Sequence, residues 1–376
     1  MAGRIVLFGA TGYTGHLTAE AMVRLGTRPV LAARHQPRLE DLARELDDLE
    51  HAVADVERPE TLRDLIGPGD VLVTTVGPFK RLGAMAAEAA IAEGAHYLDS
   101  TGEPPFIREV FERFGPAAER AGIGMLTAFG YDWVPGNLAG ALALREAGPD
   151  ATRVDVGYFM TGDARGGMSG GTRASLAGVI AEPSFAWRGG RIVTEPGARR
   201  VRQFDIDGKR QPAVSVGASE NFTLPRFAPQ LQEVNTYLGW FGPMSRAMQG
   251  FSLAGSAFFK LPGSRALFDR ATSRFVQGST GGPDTQTRAK SGSHIVGAAY
   301  DTRGNQLSEV HLAGVNGYDF TAEILAWGAL RIATKGLTGT GALGPVEAFT
   351  LAHLRTAADR AGISVREPAG VPSPTA

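Results

Sequence analysis

The sequence contains no cysteine. That excludes disulfides, thiolate zinc sites, iron–sulfur clusters and a cysteine nucleophile together, and leaves the compartment open. Net charge is nearly absent: 38 Lys and Arg stand against 39 Asp and Glu, a balance of −1. No basic excess points to nucleic acid, and no acidic tail points to a charged partner. No run reaches the roughly 18 apolar residues that span a bilayer. The start, MAGRIVLFGATG, enters a strand-and-turn pattern with no apolar signal core. These absences predict a cytoplasmic protein without a transmembrane segment. None of the seven tyrosines has lysine four residues later, so the Tyr-x-x-x-Lys pair of short-chain dehydrogenases is missing. The seven histidines (16, 35, 51, 96, 294, 311, 353) are scattered, with no i, i+4 pair and no carboxylate-linked spacing, so no metal is expected.

What is present suits a soluble two-domain chain: 376 residues, 43% hydrophobic and 20% charged. Up to about residue 130, apolar runs (RIVLFGA, RPVLAAR, HAVADV, DVLVTTVG, HYLDS, GMLTAFG) alternate with helical patterns. One such pattern places Leu17, Ala21, Met22 and Leu25 on a common helical face. This rhythm predicts an α/β fold, a doubly wound parallel Rossmann sheet over residues 1–135. From 136 to 317 the strands VDVGYFM, GRIVTE, RVRQFDIDGK and AVSVGA, and a hairpin turning at Thr302–Asn305, predict a second, α+β domain with a mixed or antiparallel sheet. Residues 320–336 read as a helix, the segment 318–366 as able to pack back on the first domain, and 367–376 as a flexible tail.

GATGYTG (9–15) joins the first strand to the first helix, which aims backbone N–H groups and the positive helix end at one point, a seat for a pyrophosphate. Its glycines are spaced GxxGxxG. Gly9 allows the sharp turn, Gly12 the close approach of phosphate, and Gly15 the packing of helix on strand. An NAD site places an acid about 20 residues further on, at the end of the second strand. Here that strand ends LAARHQPR, with no acid before Glu40. Arg34, assisted by Arg38, stands where a 2′-phosphate needs a cation, which favours NADP(H). Asp55 lies either at the adenine or in a plain turn-capping role. TTVGPF (74–79) and DSTGE (99–103) close the next two strands on the same rim. Phe79 either walls the pocket or packs in the core.

Tyr131 and Asp132, at the end of the last Rossmann strand, are the candidate proton donor or orienter of a hydride transfer, against the plainer roles of hinge packing and turn capping. Asn316 and Tyr318 are weaker candidates of the same kind. SGGT at 169–172 lacks the nucleophile-elbow pattern and reads as a helix start whose N–H groups face a substrate. The stretch 237–268 is aromatic, methionine-bearing and free of acids. It suits a homodimer interface, a cover over an apolar substrate channel, or contact with a membrane surface.

GATGYTG, VGPF, YLDSTGE and GYDWVPGNLAG, in that order, resemble the saccharopine dehydrogenase-like oxidoreductases, above all the bacterial branch containing trans-acting enoyl reductases of polyketide-lipid biosynthesis. SGGTRAS at 169–175 and, more loosely, AGVNGYDFTAEILAWGAL extend the resemblance along nearly the whole chain. It implies a Rossmann domain, a mixed α/β second domain, and NAD(P)-dependent hydride transfer at C=C or C=N. By motif it places Gly9, Thr11, Gly12, Tyr13, Thr14 and Gly15 at the phosphates, and Val76, Gly77, Pro78 and Thr101 at the nicotinamide half. One departure stands out: the family's GFDSVP is GYDWVP here, and Trp133 narrows or reshapes the substrate pocket. No arginine cluster with the spacing that several substrate carboxylates require is evident in the second domain. The expectation is therefore an NADP-dependent reductase of a small, largely apolar biosynthetic metabolite. A non-catalytic or lipid-associated dinucleotide-binding protein and an amino-acid dehydrogenase are the competing readings.

Overall fold

The computed structural model describes residues 3–162, 183–258 and 281–366. The short apolar runs become strands, mostly buried on both faces as a parallel sheet covered by helices demands, with the edge strand His51–Val53 partly exposed. They are β1 (Ile5–Phe8), β2 (Val30–Ala33), β3 (His51–Val53), β4 (Val71–Thr74), β5 (His96–Asp99) and β6 (Gly124–Leu126). The crossovers carry α1 (Tyr13–Arg24), α2 (Gln36–Glu45), α3 (Glu60–Arg63), α4 (Phe79–Glu93), α5 (Pro104–Glu109) and α6 (Gly115–Arg120). Strand order is β6–β5–β4–β1–β2–β3, all parallel. The order reverses between β1 and β4, so a crevice opens beyond the carboxyl ends of these two strands, where the glycine turn and TTVGPF both lie.

α7 (Val134–Ala147) leads into the second domain and is buried from Val134 through Leu144. A helix apolar all round needs neighbours all round. α7 has them in the second sheet and in the helices Glu220–Phe227, Pro345–Phe349 and Leu351–Arg360. That sheet contains β7 (Arg153–Gly162), β8 (Pro183–Arg188), β9 (Arg191–Pro196), β10 (Val201–Ile206), β11 (Lys209–Val216), β12 (Glu233–Leu238), β13 (Ser291–Tyr300) and β14 (Gln306–Val315). The chain's last pieces are β15 (Gly341–Ala342) and β16 (Ile363–Arg366). The second sheet runs β10–β11–β12–β7–β13–β14–β16, with β8 bridging β12 and β9. Among its described pairings only β7–β12 is parallel, so the mixed sheet expected from the sequence is what forms. In the β13–β14 hairpin Asp301 holds the turn, its Oδ1 accepting from the amides of Arg303 and Asn305 at 2.8 Å each.

The C-terminal segment departs from expectation in part. The helix Gly317–Lys335 packs along α1, β4 and β5, and β15 pairs with β6, so this part does return to the first domain. β16, however, pairs with β14 in the second sheet. The helix also starts three residues before the 320 read from periodicity. Asn316 is its N-cap, with Oδ1 accepting from the amides of Tyr318 at 3.0 Å and Asp319 at 3.1 Å. One continuous apolar core joins the two domains, and a small second cluster (Phe159, Phe204, Ile206, Ala213, Tyr237, Val296) lies within the second sheet.

Candidate active site

Each glycine of the 9–15 turn has a distinct physical reason to be there. Gly9 has φ +93°, and a Cβ on it would sit 2.8 Å from Thr75 Oγ1 and Val76 Cγ2. A Cβ on Gly15 would lie 2.2 Å from the carbonyl oxygen of Gly9. Gly12 differs: its φ is an ordinary −77°, and its Cβ would meet only Gly9 O, at 3.2 Å. Gly9 and Gly15 are thus demanded by the fold, whereas the missing side chain of Gly12 leaves open space. Gly12 caps α1 without a side-chain bond, and the amides of Thr11, Tyr13, Thr14 and Gly15 find no acceptor among the described residues. Free amides at the positive end of a 12-residue helix make an anion site.

Arg34 follows β2 directly, is exposed, and has no hydrogen bond or ion pair among the described residues; Arg38 is likewise exposed and unpaired. Asp55 takes the turn-capping role, its Oδ1 accepting from the Glu57 amide at 3.0 Å. Beside it lies a cleft of ≈ 450 Å³ lined by Val56, Glu57, Arg81, Leu82 and Met85. An apolar floor with an exposed guanidinium suits a flat base. These residues fit NADP(H): free amides and the space at Gly12 for the diphosphate, Arg34 and Arg38 for a 2′-phosphate.

On the neighbouring rim, Val76, Gly77 and Pro78 stand at least partly exposed. Phe79 is not a pocket wall. It is buried in the core against Phe106, with ring centroids 5.7 Å apart. Its amide and that of Lys80 are capped by the Glu103 carboxylate at 2.8 and 3.0 Å, a role for the DSTGE acid that the sequence did not suggest. Thr101 is wholly buried, and its hydroxyl accepts from the Glu103 amide at 3.1 Å, so it knits the loop together. Asp99 accepts from the amides of Thr101 (2.9 Å) and Ala128 (2.8 Å), tying the ends of β5 and β6. Burial pushes its carboxyl up to about 6 despite these bonds.

Between those strand ends and α7 lie Tyr131, Asp132 and Trp133. The Asp132 Oδ1 is buried without a partner, and its Oδ2 is so close to Gly102 that a Cβ there would lie 2.7 Å away. Burial pushes this carboxyl up to about 7. Tyr131 donates its amide to Thr321 Oγ1 at 2.9 Å and sets its ring edge-on to Tyr158, centroids 5.7 Å apart. Its hydroxyl is buried beside Ser293, and burial raises its pKa well above the ordinary value. Trp133 is buried against Tyr158 at 5.1 Å, filling the interior under Asp132.

Two residues not singled out by sequence complete this cluster. Tyr158 donates to Oε1 of the wholly buried Glu220 at 2.7 Å and accepts from the Gly136 amide at 2.8 Å. Burial pushes Glu220 up to about 8, and the neighbouring Asp132 adds to the rise. Perturbed carboxyls at a domain junction mark a candidate reaction centre. The one signal in the sequence was a single acid, Glu220, within the otherwise uncharged run 211–225.

These raised values fix a sign. The folded protein holds protons on Glu220 and Asp132 that the unfolded chain releases above about pH 4.5. Their contribution to stability is full below that value and is lost as pH rises through 7 and 8, at up to about 1.4 kcal/mol per pH unit for each group. Glu220→Gln keeps an acceptor for Tyr158 and cannot ionise, so thermal melts from pH 5 to 8 should fall less steeply than for the unchanged protein. An identical slope would mean that Glu220 is not held neutral by the fold.

Other expectations meet mixed fates. His16 and Glu20 do have i, i+4 spacing, overlooked in the sequence, and with Glu45 their ligand atoms lie within 4.8 Å of one another. They lie together at the surface, His16 and Glu20 partly exposed, with His16 3.4 Å from Glu20 and 3.9 Å from Glu45. The second sheet also gathers arginines that linear spacing hid. Arg188 and Arg200 share Glu195 (3.5 and 2.6 Å), and Arg153 and Arg202 share Asp155, so internal carboxylates already engage them. Asn316 is engaged as a helix cap. The 169–175 motif lies outside the described residues. Within 237–258, Ser245, Gln249 and Ser252 bond to the backbone of residues 197–212 in the second domain. No helix among the described residues is long and apolar enough to cross a membrane.

Comparison with known proteins agrees with this geometry. Residues 5–126 match the family described as saccharopine dehydrogenase NADP binding domain. A Mycobacterium tuberculosis protein, itself named only provisionally as a trans-acting enoyl reductase, is 35% identical over 203 residues, 52% of this chain and 46% of the relative. The trans-acting enoyl reductase of Mycobacterium leprae is 33% identical over 200 residues, 51% of this chain and 48% of that one. The chain spans about half the length of the curated relatives it matches. The solved apo saccharopine dehydrogenase (L-Glu forming) of Saccharomyces cerevisiae shares the fold, with TM-score 0.57 over 97% of this chain and 99% of that one, at 13% identity.

Proposed function

We propose, from the premise of a saccharopine dehydrogenase-like chain whose N-terminal domain is of the NADP-binding type, that the protein is an NADPH-dependent reductase of an activated C=C bond in a largely apolar acyl substrate. The observation that carries this reading is the Asp132 carboxyl. Burial pushes it up to about 7, one of its oxygens is unpartnered, and it stands against Gly102 on the rim that also carries the glycine turn. Bound NADPH supplies the hydride. The chain's own part is to grip the diphosphate with the free amides of Thr11, Tyr13, Thr14 and Gly15, to hold the 2′-phosphate with Arg34, and to deliver from Asp132 the proton that balances the hydride on the adjacent carbon. Burial raises that carboxyl to about 7, a value that matches the task, and the bonded Tyr158–Glu220 pair lies near enough to feel its charge. The enoyl reductase relatives favour C=C over C=N, and the engagement of the second-domain arginines by Glu195 and Asp155 argues against a polycarboxylate substrate.

The test is depletion of NADPH absorbance with α,β-unsaturated acyl thioesters of increasing chain length, set beside cyclic imines. Oxidation with the thioesters alone is expected. Turnover confined to imines would reassign the bond reduced, and tight binding with no turnover on either panel would make this a non-catalytic dinucleotide-binding protein. In the same assay Arg34→Ala should erode the preference for NADPH over NADH at least tenfold, since a charge-assisted phosphate contact contributes about 1.5–3 kcal/mol. An unchanged preference would remove Arg34 from the site.

A further inference from the structure

We infer that Arg288, in the second domain, is a positioning residue for the cofactor, acting through Tyr13 of the glycine turn. The inference rests on the NADP-binding reading of that turn. Tyr13 is the first residue of α1, and its amide is among the donors left free for the diphosphate. No side-chain cap holds this first turn, because its cap is Gly12; the local bonds are Gly12 N–H to the Gly9 carbonyl at 2.9 Å and His16 N–H to the Gly12 carbonyl at 2.8 Å. The second domain supplies the hold. The Tyr13 hydroxyl donates to the carbonyl of Pro283 and accepts from Arg288 Nη1 at 2.9 Å. Its ring meets Tyr318 edge-on at 5.1 Å, and Gly282 approaches so closely that a Cβ there would lie 2.5 Å from the ring. The Arg288 guanidinium also lies 5.9 Å from the ring centroid.

Arg288 is fixed in its turn. Its side chain is only 12% exposed, and Nε donates to Asp319 Oδ1 at 2.7 Å. Asp319 Oδ2 accepts from Asn316 Nδ2 at 2.7 Å, and Asn316 caps the helix Gly317–Lys335 that packs along α1. A continuous chain of bonds therefore runs from the phosphate turn through Tyr13, Arg288, Asp319 and Asn316 to the start of that helix. A tyrosine needed only to fill space would not have its hydroxyl engaged as both donor and acceptor by residues some 270 positions away. The arrangement makes the spacing of the first-turn amides depend on a residue whose guanidinium is engaged by Tyr13, Pro283, Thr285 and Asp319.

The test is NADPH titration, by calorimetry or nucleotide fluorescence, on Tyr13→Phe, Arg288→Ala and the double variant, with melting temperatures recorded in parallel. Tyr13→Phe keeps the ring and loses only the hydroxyl. Each single change should raise the Kd for NADPH about tenfold, as expected for a lost charge-assisted bond, and the double change should raise it no further than Arg288→Ala alone. If Arg288 merely stabilises the fold, its loss lowers the melting temperature and leaves the Kd of the folded protein within twofold; that result overturns the inference. Should Arg288→Ala not fold, Tyr13→Phe decides alone, and an unchanged Kd again refutes it. An unchanged protein that fails to bind NADPH would overturn the cofactor assignment itself, a failure separable from this one.

Discussion

Asp132→Asn is expected to cut turnover about 10²–10⁴-fold, the usual contribution of a positioned general acid, while NADPH affinity stays within about threefold. The side chains are nearly isosteric, so the close packing on Gly102 survives, and only the transferable proton is lost. The unchanged enzyme should also lose turnover as pH rises through about 7, because the donor must be protonated, and that limb should be absent from the variant. Asp132 raises the pKa of Glu220 in turn, so the measured value belongs to the two carboxyls as a pair. Tyr131→Phe is the control. Its hydroxyl is buried, and its proton is held far more tightly than neutral pH would release. If Tyr131→Phe abolished turnover and Asp132→Asn did not, the donor would be the tyrosine.

How much of this could be read in advance depends on the range of each interaction. The glycine turn was legible because the positive φ of Gly9 and the close approach of Gly15 to the Gly9 carbonyl arise within seven residues, even though Thr75 and Val76 also crowd Gly9. The parallel sheet was legible for the same reason: runs such as IVLF and VLVT are buried on both faces and carry no alternation. Arg34 could be found through an absence, the lack of an acid at the end of β2. Phe79 was left open between wall and core, and only the packing against Phe106 decides it.

The candidate reaction centre resisted because its parts come from distant positions. Glu220 meets Tyr158 across 62 residues, and neither belongs to a recognisable spacing. Asp132 could be named as a rim residue, but its preference over Tyr131 rests on burial raising the carboxyl only to about 7 while holding the tyrosine proton far more tightly, which a linear pattern does not encode. The four second-domain arginines show the same limit in reverse. They do cluster, on different strands, around two carboxylates that already engage them.

Gly12→Val should abolish measurable NADPH binding, raising the Kd at least 100-fold, in a protein that still folds. The argument rests on the difference between two glycines three residues apart. At Gly12 the backbone is one that any residue adopts, and the new Cβ meets a single protein atom at 3.2 Å, so the stability cost should be about 1 kcal/mol, mostly from a poorer helix cap. At Gly15 even Ala places its Cβ 2.2 Å from the Gly9 carbonyl, a clash of backbone on backbone that should cost about 1–3 kcal/mol or prevent folding. Melting curves with nucleotide titration on Gly12→Val and Gly15→Ala separate the two effects. A side chain tolerated by the protein but not by the ligand locates the diphosphate at Gly12. If Gly12→Val bound NADPH as the unchanged protein does, the space over that residue would not hold phosphate, and the free amides of Thr11, Tyr13, Thr14 and Gly15 would need another occupant.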